Sequence, residues 1–405
     1  MMHSLLDILT DQNAWNDFRA CKTERNQLSK AESEELDAFI AEKRYLAFQD
    51  NMHFSLPQKR MIAKRSSQKK RTVYCYSSDE TWILKMLAWQ LYIFDPYFSD
   101  HLYSFRRDRH AGSAFRDIRM IRDIDRKYVL KLDIHDYFNS IHTDILLSQL
   151  KNVFAQDEKL YMFFRDLLEQ DACIWEGQII NEKRGAMAGV PISGFLADVY
   201  LTEMDRQMEE KGIPYFRYSD DMILFFDTEE EMNTCLQEIT DYLGQMGLIL
   251  NEEKQKISEP GEPWEFLGFR YERGEIDLAQ STVEKMKRKI RRKAKKFWRR
   301  RKQNHSSYDA AARSMIRSFD SIFYDLSGSG SFTWTRFYFP LLTRTDGLHE
   351  IDTCMIRYLR YLKTGKHNKG NYAITYEHLK KLGYTPLVAE YYRWKEDSRK
   401  LAEES

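Results

Sequence analysis

Pro214-Tyr215-Phe216-Arg217-Tyr218-Ser219-Asp220-Asp221-Met222-Ile223-Leu224-Phe225-Phe226 is the stretch that decides how the rest of the chain is read. Two short apolar and aromatic runs flank a polar Ser-Asp-Asp turn, which predicts a β-hairpin. Adjacent acids form good turns on their own account, so the pair carries little by itself. Upstream, Tyr128-Val129-Leu130-Lys131-Leu132-Asp133-Ile134 reads as a mostly buried strand that also ends in an acid. A lone carboxylate there is often a cap or half of a salt bridge. Residues 195–208 show helical recurrence of apolar side chains, and residues 230–246 do the same up to Gly247. A further strand is expected at 248–250. Strands and helices alternating from 128 to 270 predict a mixed sheet with helices on one face, an α+β arrangement.

Two acid-tipped strands in one sheet can bring their carboxylates to one point. Left bare, those acids repel, and burial raises the cost. A pair of Mg²⁺ ions, with Mn²⁺ as a substitute, removes that cost and keeps coordination sites open for phosphates. Two such ions about 3.5–4 Å apart suit in-line phosphoryl displacement. Asp133, Asp220 and Asp221 are therefore the candidate catalytic and metal-binding residues.

The remaining composition narrows the class. At 405 residues the chain is long enough for two or three packed units, and 42% hydrophobic with 14% aromatic residues excludes general disorder. Net charge is only +1, yet thirteen Lys/Arg and no acid lie between Lys285 and Lys302, leaving the rest of the chain net acidic. The five cysteines are scattered, which argues against a zinc ribbon or a disulfide framework. The N-terminus does not read as a signal peptide, and no apolar run approaches the ~20 residues that span a bilayer, so a cytoplasmic protein with no membrane partner is expected. Residues 1–60 read as a helical segment, with apolar spacing over 31–48. A basic patch at 64–71 runs into a strand at 72–76, and a helix over 82–94 stops at Asp95-Pro96. Gly328-Ser329-Gly330-Ser331 reads as a flexible break.

In this order the motifs resemble those of bacterial reverse transcriptases. The resemblance runs over roughly residues 60–270. It is carried by Arg71-Thr72-Val73, by Tyr97-Phe98-Ser99 with Tyr103-Ser104-Phe105-Arg106, and by Leu132-Asp133-Ile134 with Tyr137-Phe138. It continues through Gly189-Val190-Pro191-Ile192-Ser193, Tyr218-Ser219-Asp220-Asp221, Gly247-Leu248-Ile249-Leu250-Asn251 with Lys254, and Phe266-Leu267-Gly268-Phe269. The resemblance implies a right-hand polymerase with fingers (61–127 and 150–185), a ferredoxin-like palm (128–278), and a basic helical thumb with a helical C-terminal extension (279–405). It implies Asp133, Asp220 and Asp221 as metal ligands, with the Ile134 carbonyl as an extra one and Asp221 as the acid that only supports the site in some relatives. Phe138 would be a steric gate against the 2′-hydroxyl. Arg71 and Lys69 would neutralise the triphosphate, Lys254 would lie near the departing pyrophosphate, and Gly189, Pro191 and Ser193 would lie beside the nucleotide. Arg106 is assigned to nucleotide or template contact. Many relatives have Gln where this chain has Ala188, so an amide contact is missing.

Within the basic run, Val283, Met286, Ile290, Ala294 and Phe297 form one apolar stripe, leaving cations on the remaining circumference. Lys287, Arg288, Arg291, Arg292, Lys295 and Arg299 are the expected contacts to nucleic-acid phosphates. Residues 357–369 combine cations with tyrosines and fit either RNA binding or a helical core. The expected partners are an RNA template, a DNA product and dNTPs, and a homo-oligomer is compatible with the sequence. No cysteine cluster marks an intron-type endonuclease. The retron Asn-Ala-x-x-His and Val-Thr-Gly elements are absent. By exclusion the chain is most like the stand-alone defence-associated group working on a dedicated noncoding RNA. The alternatives are a non-catalytic RNA scaffold or splicing cofactor, or a retron or group II intron type.

Overall fold

A computed structural model describes residues 4–24, 27–43, 54–63, 70–324 and 333–403. The basic patch up to Lys69, the end of the 31–48 pattern and the Gly-Ser stretch at 328–331 lie outside them. The chain divides into two compact units, Met1–Pro260 and Gly261–Ser405.

In the first unit, strands β1 (Gln58–Ala63) and β2 (Lys70–Cys75) form an antiparallel hairpin. It is joined in parallel at β1 by β4 (Ala172–Trp175), which pairs with β5 (Gln178–Asn181). The helix expected over 82–94 starts earlier, at Ser78, because Ser77 and Glu80 cap its first turn reciprocally. It tightens to a 3₁₀ turn, Leu91–Tyr97, as it meets Pro96.

The second sheet holds the acids. It consists of β3 (Tyr128–Asp133), β6 (Tyr215–Tyr218), β7 (Asp221–Phe226) and β8 (Lys256–Ser258), in the spatial order β6-β7-β3-β8. Ser193–Tyr200 and Thr202–Glu210 are the last helices before β6, after an insertion that includes β4 and β5, and Glu229–Gln245 lies between β7 and β8. That is the ferredoxin-like order. Every pairing is antiparallel, not mixed as expected, because β7 inserts between β3 and β6 and keeps them from pairing in parallel. The strand expected at 248–250 contributes only the bridge Ile134↔Leu250; the true edge strand is β8. Side chains alternate along each strand. Leu130, Leu132, Met222 and Leu224 join Leu196, Met204 and Ile239 in one core, which leaves Lys131, Asp133 and Asp221 on the opposite face.

One charged cluster lies on the core side. Arg217, in β6, is fully buried, with Nε 2.7 Å from Asp205 Oδ1 and a second nitrogen on Asp205 Oδ2. Tyr215 donates to the same carboxylate, and Asp198 lies 3.7 Å from the guanidinium. Burial pushes the Asp198 carboxyl well above the usual range, against the pull of the Arg217 charge. Arg217 also donates to the Ser219 carbonyl (3.2 Å), while the Ser219 N–H donates to Ser104 Oγ, which donates to Asp198. The turn before Asp220 is thus tied to two helices and to the 104 segment. Ser219 has φ +61, a conformation this tether holds in place.

In the second unit, β9 (Trp264–Phe266), β10 (Phe269–Glu272) and β11 (Glu275–Leu278) form a meander. Its two-residue turns, Leu267-Gly268 and Arg273-Gly274, have positive φ at both positions, as type I′ hairpins require. Helices Gln280–Gln303, Tyr308–Phe323 and Asp346–Tyr361 follow. Along Gln280–Gln303 the stripe Val283, Met286, Ile290 and Ala294 is buried, and Phe297 is half-buried. No described helix is long and apolar enough to cross a membrane.

Removing one member of a fully buried ion pair strands its partners. Arg217→Met should therefore lower unfolding free energy by about 3–5 kcal/mol, read from urea denaturation; an unchanged midpoint would show that the cluster does not hold the turn.

Candidate active site

The β3–β7 register places Asp133 directly opposite Asp221. Residues so paired lie about 4.5–5.5 Å apart at Cα, with both side chains on one face. Asp220 sits in the β6–β7 turn, and its carbonyl accepts from the Ile134 N–H at 3.2 Å. The three acids quoted from two distant segments therefore meet.

Like charges in such a ladder need opposition, and two ammonium groups supply it. Lys254 Nζ is 2.6 Å from Asp133 Oδ2, and Lys131 Nζ is 3.9 Å from Asp221. Asn251 donates to Asp133 Oδ1 at 3.2 Å, and the Asn251 N–H caps the Asp133 carbonyl at 2.7 Å. Burial, then the charges of Asp221 and Asp133, push the Asp220 carboxyl up to about 6. Burial disfavours the Lys254 charge, but Asp133 and its neighbouring carboxylates outweigh that and raise its pKa.

Among the described residues no three Asp, Glu, His or Cys side chains form a ready cage for an ion, since Asp133 is turned to Lys254. The donor set nonetheless fits a hard divalent cation. It offers three carboxylates and a strand-end carbonyl at Ile134, all oxygen donors, and Asp220, raised by burial and by the two neighbouring acids, is the carboxyl that a cation would relieve most.

Around this centre the other expected residues fall into groups. Phe138 follows β3 in the short helix Tyr137–Ser140, half-buried, with its ring 6.3 Å from Phe105. Gly189 has φ +98, and a Cβ there would come within 3.1 Å of Val73. β2 is locked to that segment by the Tyr74 N–H on the Ala188 carbonyl (2.8 Å), which sets exposed Arg71 on the same strand face as Val73. Pro191 is half-buried in the same turn. Lys69 lies outside the described residues.

Two expected contacts are committed elsewhere. Ser193 is buried and donates to the Met187 carbonyl (2.6 Å), so it shapes the turn. Arg106 donates to the carbonyls of Ser99 (2.7 Å) and Asp95 (2.8 Å), closing a loop of its own segment. Its neighbour Phe105 is the one placed beside Phe138. At φ +49 and 46% exposed, it lies where a Cβ on Gly194 would meet its ring at 2.5 Å.

The basic helix also spends some of its charge. Lys287 pairs with Glu284 and Glu350, Lys293 donates to Ser318, and Arg301 holds the carbonyls of Leu362 and Lys363. Arg288, Arg291, Arg292, Lys295 and Arg299 are exposed.

A ferredoxin-like sheet whose central strands set Asp133 opposite Asp221, with Asp220 in the adjoining turn, defines a polymerase palm. Residues 62–271, just over half the chain, match the reverse transcriptase (RNA-dependent DNA polymerase) family, and the chain belongs to it. Members of this family use divalent metal ions. The retron Ec83 reverse transcriptase of Escherichia coli is 32% identical over 134 residues, covering 30% of this chain and 40% of that protein. The retron Ec48 reverse transcriptase of the same species is 22% identical over 166 residues, 40% of this chain and 39% of that one. The chain thus matches about 40% of the length of these relatives. Among solved structures, apo telomerase from Candida tropicalis is similar at TM-score 0.48 and 13% identity, over 82% of this chain and 70% of that one.

A proton on Asp220 competes with a cation. Mn²⁺ affinity, followed by water relaxation, should fall by about tenfold per pH unit once pH drops below the Asp220 value near 6. A profile flat from pH 7 to pH 5 would place the ion away from Asp220.

Proposed function

We propose that the protein is an RNA-directed DNA polymerase that extends a 3′-hydroxyl with dNTPs, releasing pyrophosphate. The observation that carries this is the Asp133–Asp221 register, closed by the Asp220 carbonyl on Ile134. Asp133, Asp220, Asp221 and the Ile134 carbonyl would hold a pair of Mg²⁺ ions, which lower the pKa of the attacking hydroxyl and stabilise the leaving oxygen. The chain's own residues do the rest. Phe138 stands beneath the incoming sugar and excludes a 2′-hydroxyl by its volume. Arg71 on β2 meets the triphosphate, and Gly189 lets backbone approach the nucleotide closely. Lys254, already raised in pKa by the carboxylates, holds a proton near the departing pyrophosphate. Arg288, Arg291, Arg292, Lys295 and Arg299 supply phosphate contacts to the template–primer duplex.

The template we propose is a dedicated noncoding RNA, with the enzyme acting in antiviral defence in the cytoplasm. What supports this is the scattered cysteine pattern and the absence of retron sequence elements. A retron-type enzyme is the second reading, favoured by the 32% identity to a retron reverse transcriptase.

With poly(rA), a DNA primer, Mg²⁺ and labelled dTTP, Asp220→Asn should abolish incorporation. Its melting temperature should hold or rise, because a carboxylate whose charge is disfavoured by burial and by two neighbours is removed. Incorporation at the wild-type rate would exclude the assignment. Wild-type protein that binds the duplex without extending it would instead mark a scaffold. In the same assay Phe138→Ala should raise rUTP use relative to dTTP by at least about tenfold, whereas unchanged discrimination would remove Phe138 as the gate.

A further inference from the structure

Helix Asp346–Tyr361 buries Tyr358, Leu359 and Tyr361 and turns Thr353, Arg357 and Arg360 outward, three residues on one helical face. Beside them runs an open groove of about 720 Å³, whose far wall is the segment 367–376. Arg357, Arg360, His367 and Lys369 line it, and no Asp or Glu does among the described residues. The wall is built rather than loose. Asn371, only 4% exposed, donates to the Lys366 carbonyl and accepts from Thr364, while Arg360 Nε donates to the Ile374 carbonyl. On this wall Tyr372 is 68% exposed, with the Arg360 guanidinium 5.0 Å from its ring centre. A second cavity of about 520 Å³ shares Thr353 and Arg357 with it and adds Arg288 and Arg291, along with Glu284 and Glu350, both of which pair with Lys287.

We propose that this groove binds a single-stranded segment of RNA, with a base stacked on Tyr372 and phosphates on Arg357, Arg360 and Lys369. A basic groove free of acids along its own walls, with an open aromatic ring beside it, is the chemistry that holds an unpaired strand. A duplex would meet the same cations but could offer no splayed base to the ring. An acidic peptide would satisfy the charge and leave the ring unused. The site deepens the RNA-partner reading above and rests on it, yet it needs neither the carboxylates nor dNTPs.

The test is fluorescence anisotropy of full-length protein with a short unstructured oligoadenylate RNA, without Mg²⁺ or dNTPs. Tyr372→Ala should weaken binding by about tenfold, the effect of losing one stacked base. Tyr372→Trp should restore it. Lys369→Glu should flatten the salt dependence. Tyr372 is exposed, so its variants should keep the wild-type melting temperature and extend a saturating primed template normally. Unchanged oligoadenylate affinity in Tyr372→Ala would overturn the proposal. So would an equal loss of duplex affinity, or competition by free AMP or an acidic peptide as effective as by the strand. Asp220→Asn should bind the oligomer like wild type. If the wild-type enzyme fails to extend primers while the Tyr372 effect stands, the polymerase reading falls and the groove remains.

Discussion

Two carboxylates set face to face in an antiparallel ladder are an unfavourable pair, and the architecture of the first unit is organised around keeping them there. Nothing local favours Asp133 opposite Asp221. The register is fixed from the other side of the sheet, where Leu130, Leu132, Met222 and Leu224 are buried in the core. Slipping by one residue would turn all of them to the acid face. Hydrophobic burial on one face therefore stabilises electrostatic repulsion on the other. Lys254 and Lys131 offset part of it, while burial first, and then the charges of Asp221 and Asp133, still raise the Asp220 carboxyl.

The same logic explains an ion cluster in an otherwise apolar layer. Arg217 is flanked in sequence by Phe216 and Tyr218, and its side chain enters the core with Tyr215. One guanidinium between two buried carboxyls is costly unless its hydrogen bonds are filled, and the Asp205 carboxylate and the Asp198 and Ser219 main-chain carbonyls fill them. Its benefit is positional. The turn carrying Asp220 is anchored from beneath by directional bonds as well as by the packing around it.

Much of this was legible in the sequence. The hairpin at 214–226 announced itself through apolar runs on either side of a turn, and the acids through their place at strand ends. The ladder that joins them was not written in either segment, because register depends on which strands become neighbours. The edge strand was misplaced because Leu248-Ile249-Leu250 is apolar and β8, Lys256–Ser258, is largely exposed. Arg217 hid as a single charge in an aromatic run. Its signal was two acids of the preceding sequence, Asp198 and Asp205, one on each of the two helices before β6. Phe105 could not be read at all, since its direction follows from a left-handed backbone. The basic helix is legible as such, but Lys287 falls among its expected phosphate contacts because a partner distant in the chain, Glu350, is invisible to a charge count.

The tether through Arg217 blurs the border between scaffold and chemistry. Asp198, Asp205 and Ser104 lie on the reverse of the sheet from Asp133 and touch no reacting atom, yet each is linked by Arg217 or by Ser104 to the peptide before Asp220. A library of random variants ranked by lost synthesis alone would score these positions beside the acids themselves. Separating the two groups takes a measure of foldedness alongside the measure of product, and the same entanglement tells an engineer which rear-face positions to leave alone.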